Sequence, residues 1–454
     1  MPIYDCFADL RAARARGETR GLYSVCSSNS FVVEAAVRRA AAYGRALLVE
    51  ATANQVNQNG GYTGMKPADF AAWLQKLCAK YQVSSDYVVF GGDHLGPYPW
   101  RSLPAEEAMS RAGELVRLFV NAGARKIHLD ASMILAGDRE EGRTIHEGRA
   151  LDPRVAAARS ARLCEVAESA FEELRRQKRE AVPPVYIIGT EVPVPGGVQE
   201  EEETGSGRKA PLPTRPEDFR SEVELVREAY SSFGLHEAWK RVLAIVVQPG
   251  VEYDSDHVFV YDRSSAAALV AARAEYPELF FEGHSTDFQP DSALAALVED
   301  GVCILKVGPA LTFALREALF GLDSIADELG VRQGPGLAIA VERSMRDNPG
   351  SWKDYYPPDS SLGFELKYSY SDRIRYYWRR PEVTVALDRL FESLRGRDIP
   401  AQLLSQYLPR FGSVHAGDAG QIKVDEIPLD AVDDELARYD AACYPETALV
   451  SREA

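Results

Sequence analysis

Along the first 330 or so residues, short apolar runs alternate with longer amphipathic stretches, and the pair repeats eight times. The apolar runs are Leu22 to Cys26, Ala46 to Glu50, Tyr87 to Phe90, Lys126 to Ser132, Val185 to Ile188, Leu243 to Val247, the ELFFEGHSTD run ending at Asp287, and the CILKVG run ending at Lys306 and Gly308. Short runs bounded by turn formers read as buried strands. Between them, apolar residues recur at helical spacing over Phe31–Tyr43, Pro67–Tyr81, Ala105–Ala122, Ala156–Lys178 and Glu222–Phe233, and a helix over Asp5–Arg16 stopped by Gly17 precedes the first strand. Strands that alternate with helices run parallel, because each helix returns the chain to the edge where the next strand starts. Eight such units predict an α/β fold, a closed (β/α)8 TIM barrel.

An open, doubly wound sheet is the structural rival. It is disfavoured because reactive side chains follow at least five different strands, which only closure gathers at one mouth, and because no G-x-G-x-x-G follows the first strand. The chain divides at about residue 330 into a barrel (1–330) and a C-terminal helical subdomain (331–454), where the composition turns aromatic and Arg-rich and Pro381–Leu394 and Leu429–Cys443 have helical spacing. This extension packs on the barrel or on a neighbouring subunit. Its Arg373, Arg375 and Tyr376 either reach the barrel mouth or serve as interface anchors. The least foldable stretch, Gln199–Phe219, carries Glu200 to Glu203 in a row and three prolines, and reads as a mobile loop or, since it follows strand five and would overhang the mouth, as a lid.

Composition narrows the partners. A formal net charge of -16 over 454 residues argues against nucleic acid and anionic membranes, which reward basic surfaces. No run approaches the roughly 20 apolar residues of a membrane helix. The six cysteines have no paired spacing and the N-terminus lacks the order of a signal peptide, so a reducing cytoplasm is expected.

The chemistry collects at the strand ends. Strand three runs out through two glycines into Asp93 and His94; by itself the pair reads equally as a helix cap and a surface histidine. The motif recurs in kind, however. KIHLDAS sets His128, Asp130 and Ser132 at period two on one face, strand five leads to Glu191, strand six to Gln248, and strand seven to Glu282, His284 and Asp287. After strand two, Asn54, Gln55, Asn57, Gln58 and Asn59 suit either a hydroxyl-rich ligand or a turn that satisfies its own backbone. Neutral imidazoles with one or two oxygen ligands make a site for Zn2+, Mn2+ or Ni2+. Such a metal polarises a carbonyl while a neighbouring carboxylate moves a proton, which is the chemistry of aldol cleavage or of ketose epimerisation.

The runs SVCSSNSFVVEAA, VEATANQVNQNGGYTG, GGDHLGP, KIHLDASM, IGTEVPVPGG, VVQPGVE, GHSTDFQ, ILKVGPALTFALREA and YSYSDRIRYYW closely resemble the Z-type subunit of tagatose-bisphosphate aldolase, over nearly the whole chain. Relatives have been described as a tagatose-6-phosphate kinase or as tagatose and tagaturonate epimerases. More distantly the chain is similar to the metal-dependent class II aldolases. That resemblance implies a catalytic, proton-transferring Asp93, with Asp130 and Glu191 as the other candidate acids. It implies metal ligands His94 and His284, with Gln248 standing where those enzymes have a second histidine and Glu191 as the substitute ligand. Ser27, Glu50, Asn54, Gln55, His128, Asp287, Lys306 and Arg373 are the expected substrate-binding set.

Class II aldolases follow the strand-seven histidine with a glycine-rich phosphate cradle, whereas Ser285, Thr286 and Asp287 stand here, so an unphosphorylated sugar is expected. No G-x-x-x-x-G-K-[ST] supports the kinase description. Two functions compete. The first is a metal-dependent 4-epimerase of tagatose/fructose or their uronates, inverting C4 by retro-aldol cleavage and re-addition or by direct proton exchange. The second is a non-catalytic subunit stabilising a catalytic aldolase partner; a homo-oligomer is the other expected assembly.

Overall fold

The computed structural model of the chain describes residues 5–140, 143–144, 151–189, 211–356, 361–412 and 423–445. Eight parallel strands close into a barrel: β1 (Leu22–Val25), β2 (Leu47–Thr52), β3 (Val88–Leu95), β4 (Lys126–Leu129), β5 (Val185–Ile188), β6 (Val242–Val247), β7 (Phe280–Gly283) and β8 (Val302–Val307). Each strand pairs with its sequence neighbours, and β1 closes the ring on β8 in the register Leu22 to Ile304 and Ser24 to Lys306. The expected strands are therefore present, with two corrections. β3 does not end at Phe90 but continues through both glycines, Asp93 and His94. β4 ends at Leu129, so Asp130 and Ser132 lie in the loop beyond it and do not share a strand face with His128.

Helices α1 (Cys6–Ala15), α2 (Ser30–Tyr43), α3 (Pro67–Lys80), α4 (Ala105–Asn121), α5 (Pro153–Gln177), α6 (Pro216–Ser232), α7 (Arg263–Arg273), α8 (Asp291–Glu299) and α9 (Pro309–Glu328) follow the pattern of the sequence. α6 starts earlier than expected: the end of the stretch read as a loop is helical from Pro216, with Phe219 fully buried. Of the rest of the expected lid, residues 211–215 are in neither helix nor strand, and residues 199–210 lie outside the described residues.

The barrel interior is layered. At the bottom, Cys6, Phe7 and Leu10 of α1 pack among Leu22, Leu48, Val89, Ile187, Phe280 and Ile304. Arg11 and Arg14 of the same helix donate to the carbonyl oxygens of Val242 and Leu279, tying α1 to the starts of β6 and β7. Above this apolar plug lies a layer of buried charge, and above that the imidazoles of the mouth. Side chains stacking in layers are what a small closed barrel requires, since its interior is a filled core and not a pore.

Past residue 330 the described chain is helical, including α10 (Leu337–Asp347), α11 (Pro381–Leu394) and α12 (Ile427–Cys443). α12 packs against α2, α8, α9 and β1, closing the ring of outer helices between α8 and α2. Buried Asp440 accepts from Arg39 and Arg45 on the barrel side, and the Tyr439 hydroxyl donates to the Thr286 carbonyl at 2.8 Å beneath the β7 loop. Leu436 on this helix is completely buried. Leu436→Ala is expected to lower stability by about 2–5 kcal/mol, the cost of a cavity in a core. Urea unfolding measures it; a loss below about 1 kcal/mol would mean that α12 is peripheral.

Candidate metal centre and active site

Buried charge organises the upper barrel. Lys126 of β4 reaches Glu50 of β2 and Glu282 of β7, both at 2.7 Å, and all three side chains are fully buried. Lys306 of β8 bonds Glu50 at 2.7 Å and Asp93 of β3 at 2.8 Å. Burial alone would raise the Glu282 carboxyl, but Lys126 and Lys306 hold it well below its ordinary value; the carboxylates in turn keep Lys306 charged against its burial. Gly91 makes room for this network, since a Cβ there would stand 2.9 Å from the Glu50 side chain.

Three imidazoles stand on this floor. The rings of His94, His128 and His284 lie 5.0 to 5.4 Å apart, centroid to centroid. Each has one nitrogen engaged by a carboxylate: His94 Nδ1 by Asp130 at 3.1 Å, His128 Nδ1 by Asp93 at 2.9 Å, and His284 Nε2 by Glu282 at 3.1 Å. A carboxylate on one ring nitrogen fixes the tautomer and offers the other nitrogen as a ligand. Donor atoms of Asp93, His94, His128 and His284 all lie within 4.8 Å of one another. The set fits a divalent cation, because His128 Nε2 is buried with no hydrogen-bond partner and an unpaired buried nitrogen is costly unless something binds it. Burial pushes His284 down to about 4, which keeps the ring neutral and able to ligate, whereas at His94 burial is outweighed by Asp93 and Asp130, and the value rises.

The backbone is built for this. His94 (φ 49°) and Ser285 (φ 54°) both adopt left-handed conformations that non-glycine residues avoid, so packing must hold each one in place. Gly96 has no alternative, because a Cβ would fall 1.6 Å from the Asp130 carbonyl oxygen.

The sequence-derived residues divide into those the structure brings together and those it does not. Asp93, His94, Asp130, His284, Asn54, Gln55, Asp287 and Lys306 line one cavity at the strand ends, and Ser27 lines a recess continuous with it. His128 stands with the imidazoles of His94 and His284 and does not itself line the cavity. Gln248 leaves the ligand set: its Oε1 accepts the Gly250 and Val251 amides at 2.8 and 2.9 Å, so its carbonyl is spent on its own turn. Glu50 lies beneath the cavity without lining it, its oxygens taken by Ser24, Lys126 and Lys306. Arg373 points elsewhere, donating to the Ser351 carbonyl and stacking on Tyr355; Arg375 and Tyr376 line the cavity in its place. Glu191 lies outside the described residues. The amide cluster splits between its two readings, since Asn57 caps its own turn by accepting from Asn59 and Gly61 while Asn54 faces the cavity.

A family model for D-tagatose-1,6-bisphosphate aldolase subunit GatZ/KbaZ-like proteins matches residues 7–444. The chain belongs to this family. It is 47% identical over 436 residues, covering 96% of this chain and 97% of the other, to a protein of Agrobacterium fabrum (strain C58) named D-tagatose 6-phosphate 4-epimerase. It is similar also to the crystal structure of a probable tagatose 6 phosphate kinase from Sinorhizobium meliloti 1021, with 41% identity and a TM-score of 0.82, covering 93% of this chain and 100% of that one. Among the described residues of this GatZ/KbaZ-like chain, no helix is long and apolar enough to cross a membrane.

His94→Ala, His128→Ala and His284→Ala are each expected to lower bound divalent metal at least about tenfold, and Gln248→Ala to leave it unchanged. Elemental analysis after dialysis decides; metal lost in Gln248→Ala and kept in His128→Ala would reverse the assignment. A second expectation concerns pH. Burial and the nearby Asp287 charge push Glu252 from 4.5 to about 7, so the folded chain holds a proton that the unfolded chain has released. That contribution to stability is full below about pH 4.5 and is lost as pH rises through 7. Glu252→Gln should therefore gain on the native protein by roughly 1–3 kcal/mol between pH 4.5 and pH 8. Urea unfolding at the two pH values tests this, and a difference independent of pH would refute it.

Proposed function

We propose that the chain is a metal-dependent ketose 4-epimerase interconverting D-tagatose and D-fructose configurations, with the 6-phosphates as first candidates. The observation that carries this reading is the convergence of His94, His128 and His284, each oriented by a carboxylate, at the mouth of a closed barrel. The name of the Agrobacterium relative supports the 4-epimerase chemistry and brings in the 6-phosphate, against the unphosphorylated sugar expected from Ser285, Thr286 and Asp287.

The substrate's own chemistry selects the route. C4 of a 2-ketose is not adjacent to the carbonyl, so its C–H bond is not acidic. Breaking the C3–C4 bond instead leaves the electron pair on C3, next to the carbonyl. A carboxylate takes the proton of the C4 hydroxyl, the C3–C4 bond breaks, and C4 becomes an aldehyde. The aldehyde turns its other face, the C3–C4 bond re-forms, and the proton returns to the C4 oxygen with the configuration inverted. A divalent cation, Zn2+, Mn2+ or Ni2+, held by the imidazoles would polarise the C2 carbonyl.

Asp93 and Asp130 are the described candidates for the base, and Glu191 remains the third. At both aspartates burial is outweighed, at Asp93 by His94 and Lys306 and at Asp130 by His94 and His128, so each stays ionised well below the usual range. Asp287, pushed up by burial to about 6, sits in the same cavity with a value closer to that of an effective proton carrier.

The family's description as an aldolase subunit favours a second reading, a stabilising partner without turnover of its own. The purified chain, loaded separately with Zn2+, Mn2+ and Ni2+, is expected to interconvert tagatose and fructose or their 6-phosphates by NMR, with Asp93→Asn slower by at least about 100-fold. No interconversion with any metal, together with stimulation of an added catalytic aldolase, would establish the accessory role.

A further inference from the structure

The cavity divides by charge. Around the imidazoles it is lined by Asp93, Asp130 and Asp287 with Lys306 already paired to Asp93, whereas the recess that continues from it past Gln55 and Tyr376 shares Arg375 with it, adds Ser27, Ser28 and Arg379 and, among the described residues, has no carboxylate. A sugar spanning both would have its middle carbons at the imidazoles and one end among guanidinium groups.

Barrels commonly bind phosphate on backbone amides after strands seven and eight, at the start of the next helix. In this chain those amides are already taken. Gly308 and Ala310 donate to Asp287 Oδ1 at 3.0 and 2.8 Å, so an aspartate oxygen fills the place of an anion at the head of α9. An incoming phosphate there would meet a carboxyl group and satisfied donors.

Arg375 offers the opposite. Its Nη1 donates to the carbonyl oxygens of Ser371 and Asp372 and its Nη2 to the Tyr376 hydroxyl, which fixes the plane of the guanidinium. Tyr62 packs edge-on against Tyr376 at 5.0 Å and braces the same wall. No carboxylate among the described residues lies at ion-pair distance from Arg375, in contrast to Lys126 and Lys306 below it. Asp372 and Asp287 act on this half-buried cation only from beyond ion-pair distance, and its hydrogen-bond acceptors are all neutral, so a planar fork held rigid in that state is suited to a directly bound oxyanion.

We infer that the recess around Arg375 and Arg379 binds the terminal oxyanion at C6 of the ketose and so sets which sugars the site prefers. A C6 phosphate and a C6 carboxylate share this chemistry, and the measurement separates them. The inference rests on the epimerase reading for the identity of the sugar, not for the existence of the anion site.

The test uses the full chain loaded with Mn2+ and compares tagatose, tagatose 6-phosphate and tagaturonate. Turnover is read by NMR and binding by calorimetry. In Arg375→Ala the ratio of kcat/KM for the anionic sugar to that for neutral tagatose should fall by about 10- to 100-fold, with Arg375→Lys recovering part of it and Arg379→Ala showing a smaller fall. The sugar whose ratio falls further identifies the anion. Ratios within about threefold of the native value for both anions in Arg375→Ala and Arg379→Ala would overturn the inference. Should Arg375→Ala fail to fold, Arg375→Lys and the exposed Arg379→Ala decide by the same ratio. A chain that turns over nothing, yet whose affinity for tagatose 6-phosphate falls with Arg375→Ala, would sink the epimerase reading and uphold this one; turnover with unchanged ratios and affinities would do the reverse.

Discussion

Five buried charges on five strands set the terms for the rest of the molecule. Glu50, Asp93, Lys126, Glu282 and Lys306 come from β2, β3, β4, β7 and β8, and each is paired inside the barrel. Two ammonium groups face three carboxylates, so the layer keeps a net negative character directly beneath the imidazoles. Buried ion pairs are weak sources of stability because desolvation offsets most of their attraction, whereas breaking one leaves an uncompensated charge. Their effect is on arrangement: the network can be satisfied only when the strands close in the observed register. That register then brings His94, His128 and His284 together. The cluster of imidazoles is thus a consequence of closure and not an addition to it.

The C-terminal region joins this system from outside. α12 completes the helical ring, and its Tyr439 hydroxyl reaches the carbonyl of Thr286 in the loop that carries Ser285 and Asp287. The short helical turn at Arg373–Tyr376 presents Arg375 and Tyr376 to the cavity. The imidazole end of the site is therefore built by the barrel strands, and at the other end the extension adds Arg375, Tyr376 and Arg379 to barrel residues such as Ser27, Ser28 and Gln55. The two differ accordingly in chemistry, acids and imidazoles on one side and guanidinium groups on the other.

Much of this was legible in the chain. Eight alternations of short apolar runs with stretches of helical spacing point to a barrel, and acids and histidines after successive strands point to a common mouth. What misled was local resemblance to a turn. Gly91 and Gly92 look like the end of β3, yet a side chain at Gly91 would collide with Glu50 and one at Gly92 would lie 2.5 Å from Leu95, so both glycines answer to packing inside a continuing strand. Gln248 stood at the right strand end for a ligand, but a glutamine beside Pro249 and Gly250 can equally cap its own turn, and it does. Arg373 and Arg375 are two residues apart in a helical turn and so point in different directions; nothing in the sequence says which one faces in. The signal that could have been read is Lys126, whose position two residues before His128 puts an ammonium group inside the barrel, where partners of opposite charge had to exist.

The apolar plug that α1 makes closes the lower end of the barrel, and among the described residues the cavity lies at the opposite rim. Whatever enters must leave by the same rim, past the same guanidinium groups and tyrosines. Two epimers that differ only at one carbon then share a doorway as well as a binding site, and each arriving molecule waits on the departure of the last. Traffic through that doorway, as much as bond making inside, sets how fast the two sugars reach their balance, whose position their own free energies fix.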